Sequence, residues 1–351
     1  MEEKKDRIGM LDLLLRPGFC VKENQIVSLN RAAESLLLTP GTDVRALLLT
    51  GREEYAQFTG GCLYLKLALS SGSRGATVVK AGGGDVFCLD QDADDSELRC
   101  LALAARELRE PLTSILISTD RLSPMVSPEA KEQAARLKRG LYQLQRIIGN
   151  MSDAGYSHSQ QELRDMGALF SEIFEKAQTL IPHAGLTLTY QGISEEVLCL
   201  ADAQQLERAV LNILSNSVKF TPRGGTVQAS LTRRGKMLRL SIRDSGSGIA
   251  EDLLNSVFSR YLRQPGIEDG RYGLGLGMVL IRSAAASHGG TVLIDQPDGQ
   301  GTRVTMTLAI RQNADALFRS PVMRVDYAGE RDHGLLELAD SLPISLYAEE
   351  K

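Results

Sequence analysis

No stretch of this chain approaches the roughly 18 consecutive uncharged apolar residues of a membrane-spanning helix. The N-terminal Met-Glu-Glu-Lys-Lys-Asp lacks the apolar run of a secretion signal, so a cytoplasmic location is expected. Cysteine is sparse. Cys20, Cys62, Cys88, Cys100 and Cys199 are odd in number and scattered, with no CxxC pair. That excludes a disulfide framework and a paired-thiolate zinc site, and leaves the thiols as small packed hydrophobes. An excess of one charge is lacking too. With 40 basic against 44 acidic residues the net charge is −4, which offers no basic surface for nucleic acid. A GxxxxGK[ST] phosphate loop is absent as well.

What is present is ordinary globular material. Of 351 residues, 43% are hydrophobic and 24% charged, enough for two or three domains at about 100–200 residues each. Residues 8–92 mix short apolar runs with glycines such as Gly60, Gly61, Gly82, Gly83 and Gly84, and read as a small α/β domain. Cys62–Leu69 alternates as a strand does. The acidic stretch 90–97 suits a helix N-terminus, with Asp95 or Ser96 as cap.

Residues 96–155 read as two helices. Leu101, Ala105, Leu108, Leu112, Ile115, Thr119 and Leu122 stand alternately four and three apart. Ser123, Pro124, Ser127 and Pro128 mark a turn. Ala130, Ala134, Leu137, Leu141, Leu144, Ile148 and Met151 then repeat the spacing. Two seams of period 3.5 predict an antiparallel helical hairpin. A stripe that narrow is not fully buried by one hairpin, so pairing into a dimeric four-helix bundle is expected.

Beyond a polar linker, residues 160–310 read as an α/β sandwich. Helices are expected near 163–181, 202–219 and 277–288. Strands are expected near 186–190, 197–200, 226–233, 237–243, 291–295 and 302–310. Residues 311–351 form a polar tail with no assignable structure or role.

Three stretches of the 160–310 region carry chemistry. In Asn212-Ile-Leu-Ser-Asn216-Ser-Val-Lys219-Phe-Thr-Pro222, the two asparagines share a helix face. Amide oxygens there suit a hard cation such as Mg²⁺, and Lys219 can reach a phosphate. In Asp244-Ser-Gly246-Ser-Gly248, a carboxylate held by glycine turns can accept from an exocyclic amine such as adenine N6. In Tyr272-Gly273-Leu-Gly275-Leu-Gly277, glycines at a helix start let backbone N–H groups approach phosphate.

In order and spacing these stretches resemble the N box and the two glycine boxes of the GHKL ATPases, a superfamily that includes histidine kinases, Hsp90, MutL and gyrase B. Phe258-Ser-Arg-Tyr261-Leu-Arg263 resembles the histidine kinase F box, and Gly301-Thr302 matches near the last strand. The resemblance covers about 150 residues. It implies a Bergerat-type ATP-binding domain with ATP and Mg²⁺ between the boxes. Asn212, Asn216, Lys219, Asp244, Gly246, Gly248, Gly273, Gly275, Gly277 and Thr302 would then bind the nucleotide, Asn216 the metal, and 264–271 would form a lid. The second glycine box departs from the frequent Gly-Thr-Gly-Leu-Gly-Leu: Arg271 and Tyr272 precede Gly273. Residues 17–34, ending in Asn30-Arg-Ala-Ala-Glu, resemble the opening of a PAS sensor domain, which gives the expected fold three parts in an α+β chain.

The hairpin segment Arg106-Glu107-Leu108-Arg109-Glu110-Pro111-Leu112 resembles the histidine kinase H box, Ser-His-Glu-Leu-Arg-Thr-Pro-Leu. Arg106 stands where the resemblance implies the phospho-acceptor histidine, and Glu110 where it implies a threonine. Imidazole is a nucleophile with a pKa of about 6.5; guanidinium stays protonated and only donates. Glu107, the possible base, would serve only against a partner's histidine. His158, His183, His288 and His333 read as surface or packing residues. The expectation is a histidine-kinase-like two-component protein that binds ATP, does not phosphorylate itself at the H box, and acts as a switch or on a partner kinase in trans. The alternatives are a scaffold binding response regulators or kinases without turnover, and a GHKL ATPase of another class. The last is weakened by the hairpin and by the expectation of no transducer domain after residue 310.

Overall fold

The computed structural model describes residues 16–81, 83–90, 93–155, 161–249, 276–312 and 331–348. Gly18–Lys22 (β1) and Gln25–Leu29 (β2) form a tight hairpin. Its two turn residues, Glu23 and Asn24, both have positive φ, the twist that matches paired strands. Asn30 closes the unit. Its side-chain oxygen accepts from Gly18 N–H and from Ala33 N–H, each at 3.0 Å, and so caps Arg31–Glu34 (α1). Val44–Leu47 (α2) and Arg52–Ala56 (α3) precede three strands: Cys62–Leu69 (β3), Gly72–Ala81 (β4) and Gly84–Leu89 (β5). Because side chains alternate along a strand, Leu63, Leu65 and Leu67 of β3 enter one core with Phe19, Val78 and Phe87. Cys62 and Tyr64 enter the larger core on the opposite face. Each fully buried leucine or phenylalanine contributes about 1.5–3 kcal/mol.

Ala93–Leu122 (α4) and Lys131–Gly155 (α5) follow. Arg109 of α4 donates to Ser152 of α5, and Asp120 of α4 lies by Lys138 of α5, so the helices run antiparallel. The first helix is described from Ala93, so Asp95 and Ser96 fall within it. The 3.5-residue seam divides. Ala105, Leu112, Thr119, Leu141 and Ile148 are buried, whereas Leu108, Ile115, Leu122, Leu137 and Leu144 are exposed.

The helix expected from residue 163 starts later. Glu162–Asp165 is a strand (β6), and Met166–Leu180 is the helix (α6). Asp165 sets the boundary, because its carboxylate accepts from Gly167, Ala168 and Val197 N–H groups. Thr187–Gln191 (β7) and Leu198–Ala201 (β8) lead to Ala203–Phe220 (α7), capped by Asp202. Thr226–Arg234 (β9), Met237–Asp244 (β10), Leu276–Ser287 (α8), Val292–Asp295 (β11) and Arg303–Ala309 (β12) complete the layer. In β10, Leu238, Leu240, Ile242 and Asp244 are buried in strict alternation. His333–Glu337 (α9) lies in the C-terminal tail, a helix where no structure was assigned from sequence.

One sheet runs through both ends of the chain, in the order β2-β1-β5-β4-β3-β11-β12-β10-β9-β7, while β6 and β8 pair separately. Among the described residues, only β7 and β9 run parallel in this large sheet. The junction is β3 against β11, with Tyr64 opposite Val292 and Cys62 opposite Ile294. Gly61 permits it: its φ is +85°, and a Cβ there would run into the carbonyl oxygen of Ile294. Arg282 of α8 reinforces the junction with a 2.9 Å ion pair to Asp90 and a guanidinium over the Tyr64 ring.

Candidate nucleotide site

The α7 helix brings Asn212 and Asn216 to the start of α8, and Lys219 to Asp340 of the tail. Asp202 caps α7 through Gln205 N–H, and Leu206, Val210, Ile213 and Leu214 fix its buried face. The opposite edge meets Gly277, where a Cβ would stand 2.9 Å from Asn212 Oδ1. A side chain there would press on the Asn212 amide. Asn216 is half-buried, and its amide nitrogen lies 3.9 Å from Met278 Sδ.

Asp244 ends β10 and gathers three other elements. Its Oδ1 accepts from Gly246 N–H at 3.0 Å and from Thr302 N–H at 3.1 Å, and its Oδ2 accepts from the Ser217 hydroxyl at 3.3 Å. Burial pushes its pKa up, against the lowering effect of these three donors, and the net shift is upward. Gly246 and Gly301 make the close approach possible. A Cβ on Gly246 would lie 2.7 Å from Phe220 O, and Gly301, at φ +67°, abuts the Asp244 carbonyl. Gly248 has φ +75°. The structure thus sets Asn212 and Asn216 against Gly277 and Met278 at the start of α8, Lys219 against Asp340, and Asp244 against Gly246 and Thr302, with Gly248 beside Gly301. Gly273, Gly275, Arg271, Tyr272, the segment 258–263 and the lid 264–271 lie outside the described residues, as does His158.

Arg106 and Glu107 are exposed on α4. His183 is exposed, whereas His288 is buried: its Nε2 accepts from Asp202 N–H at 3.0 Å, and Nδ1 donates to Ala284 O at 2.7 Å. Burial lowers its pKa. His333 pairs with Glu207 at 2.7 Å. Among the described residues no three His, Cys, Asp or Glu side chains cluster as a metal cage. A cation here would be held as Mg²⁺ is beside substrate phosphates, by few protein ligands and phosphate oxygens. Asn216 has the hard amide donor for that role.

Four residues at this site have no counterpart among those singled out from sequence. Glu337 is fully buried; it accepts from Arg208 at 3.0 Å, Arg146 at 3.2 Å and Asn212 Nδ2 at 3.4 Å. Asp340 accepts from Arg146 at 2.6 Å and pairs with Lys219 at 2.9 Å. Arg208 also bonds Asn150 at 2.6 Å and pairs with Asp153. The available signal was faint: Arg139 and Arg146 stand seven apart on α5, and Leu335, Leu336, Leu338 and Leu342 surround the two acids.

A family model described as histidine kinase-, DNA gyrase B-, and HSP90-like ATPase matches residues 201–312. A sensor-like histidine kinase of Rhizobium meliloti is 28% identical over 273 residues, which cover 72% of this chain and 52% of that protein. The histidine protein kinase DivJ of Caulobacter vibrioides is 30% identical over 237 residues, 63% of this chain and 40% of that protein. The chain therefore spans about half the length, or less, of these curated relatives. Among solved structures, full-length ShkA in complex with AMPPNP aligns at a TM-score of 0.50 and 23% identity, covering 61% of this chain and 46% of that one. That likeness concerns the fold.

Proposed function

Residues 201–312 belong to the histidine kinase-, DNA gyrase B- and HSP90-like ATPases, and from that premise we propose that this chain is an ATP-binding, histidine-kinase-like signalling protein that does not phosphorylate its own hairpin. The observation that carries the reading is the buried Asp244 at the end of β10, held by Ser217, Gly246 and Thr302. A carboxylate so fixed accepts a hydrogen bond from the exocyclic amine of adenine. Asn212 and Lys219 take phosphate oxygens, Asn216 takes Mg²⁺, and Gly246, Gly248 and Gly277 let backbone approach the ligand. Gly273 and Gly275 complete the assignment from sequence. Mg²⁺ held there would supply charge neutralisation on the phosphates. The AMPPNP complex of ShkA supports nucleotide binding by analogy of fold.

Arg106 sets the limit of the chemistry. Its guanidinium has no lone pair to attack a γ-phosphate. Nucleotide then acts on the chain as a conformational ligand, or its γ-phosphate goes to the histidine of a related kinase, where Glu107 would be the base. The partner docks on the hairpin. The exposed Leu108, Ile115, Leu122, Leu137 and Leu144 form the stripe that a second copy or a related kinase covers in a four-helix bundle. Residues 8–92 act as a PAS-like sensor unit, 96–155 as the dimerisation hairpin and 160–310 as the ATPase domain, with a response regulator as the downstream partner. Among the described residues no helix is long and apolar enough to cross a membrane.

Incubation with Mg²⁺ and γ-labelled ATP tests the reading. The expected result is nucleotide bound to the chain with no acid-labile label on it. Label on the chain would mean that another residue serves as acceptor. Failure to bind nucleotide would favour the scaffold that works without ATP.

A further inference from the structure

The C-terminal tail sits on residues that the nucleotide needs. Asp340 takes Lys219 at 2.9 Å, and Glu337 takes Asn212 at 3.4 Å. Arg146 links the two acids, donating to Asp340 at 2.6 Å and to Glu337 at 3.2 Å, and its other nitrogen reaches Asn212 Oδ1 at 3.4 Å. Arg146, Arg208 and Lys219 thus form a cationic set on facing sides of α5 and α7, and two carboxylates of the tail are set into it. A triphosphate carries the same kind of charge and the same acceptor oxygens.

The docking is built rather than incidental. Glu337 has no solvent exposure, and Leu336, Leu338, Ala339, Leu342 and Tyr347 are buried with it. Arg139 of α5 donates to the carbonyls of Ala339 at 2.8 Å and Asp340 at 3.0 Å. Tyr347 packs edge-on against Tyr142 of α5 at 5.5 Å. The tail is therefore wedged between the hairpin and the α7 helix, and touches the site from the phosphate side, through Lys219 and Asn212.

Resting on the nucleotide reading above, we infer that residues 331–348 are an intramolecular occupant of the phosphate end of the site: the tail and ATP exclude each other, and nucleotide binds only when Asp340 and Glu337 leave Lys219 and Asn212. Release of the tail by nucleotide also removes the Glu337 bridge between Arg146 of α5 and Arg208 of α7, leaving the direct bonds of Arg208 to Asn150 and Asp153, so the same event that fills the site loosens the packing of α5 on α7. Occupancy of the open form divides into the apparent affinity, Kd,app being the intrinsic value divided by the competent fraction. A tail closed most of the time weakens nucleotide binding by about five- to tenfold.

The test uses the full chain, native and Asp340→Ala. Asp340 is partly exposed at 31% of its side chain, so its loss leaves the packed leucines in place. Mg-ADP and Mg-ATP are titrated by calorimetry, and backbone hydrogen exchange is followed with and without saturating nucleotide. The expected result is binding about fivefold tighter or more in Asp340→Ala, together with faster exchange of amides 333–347 in the native chain when nucleotide is present. The native-chain exchange measurement stands alone if the variant does not fold. Nucleotide bound to the native chain with protection near Asp244 and no change over 333–347 overturns the inference while leaving the ATP site intact. No binding to either chain overturns the ATP reading itself, and the inference with it.

Discussion

The Ser217 hydroxyl donates to Asp244 Oδ2 across 3.3 Å, and this bond fastens the last turn of α7 to the end of β10. Replacing Ser217 with alanine leaves Asp244 with the Gly246 and Thr302 N–H donors only. A hydrogen bond to a charged group contributes about 1.5–3 kcal/mol to stability, so the variant should be less stable and hold Asp244 less firmly for the nucleotide. Burial already holds the Asp244 pKa above its ordinary value. A raised pKa means protonation sets in earlier as pH falls, and a protonated carboxyl is a poorer acceptor for the adenine amine. Nucleotide affinity should therefore fall in acid sooner than with an ordinary aspartate, and sooner still in Ser217→Ala. Titration of a fluorescent nucleotide across pH checks both.

His288 predicts an acid limit to folding stability. Burial lowers its pKa in the folded chain, while the unfolded residue titrates near 6.5. The unfolded state therefore binds the proton more readily, and stability is lost as pH falls below about 6.5. Replacing His288 with glutamine, which keeps a donor and an acceptor, should flatten this part of the profile at some cost at neutral pH. Urea unfolding at pH 7 and at pH 5.5 measures the slope.

Leu137 is exposed to 55% on α5, so Leu137→Asp should cost the isolated fold less than about 0.5 kcal/mol. If the stripe is covered by a second copy, the same change buries a carboxylate in the interface and separates the protomers. Sedimentation should then show monomer for Leu137→Asp against dimer for the native chain. A native monomer would remove self-pairing and leave pairing with a related kinase.

Much of this arrangement was legible in the chain because it is local. Asn212, Asn216 and Lys219 share a helix face by spacing alone, and the strand expected near 237–243 is β10, which runs one residue further to Asp244. The junction of β3 with β11 was not legible, since backbone pairing between edges leaves little signature in side chains. Nor was the role of Glu337, whose arginine partners lie 129 and 191 residues away. The start of α6 was misjudged because apolar spacing continues through Leu163, and the boundary is set by the Asp165 cap.

Arg106→His restores a nucleophilic imidazole at an exposed position. The account expects acid-labile label from γ-labelled ATP on the variant and none on the native chain, with stability changed by less than about 0.5 kcal/mol. An unlabelled variant would mean that the hairpin no longer presents this position to the nucleotide.

The most direct test of ATP binding is calorimetric titration of Mg-ATP into the native chain and into Asp244→Ala. Loss of the carboxylate strands the Gly246 and Thr302 donors, so a thermal melt should accompany it to show that the variant is folded. The account predicts a saturable heat with the native chain and none with folded Asp244→Ala. Equal binding by the two would contradict the placement of adenine at Asp244.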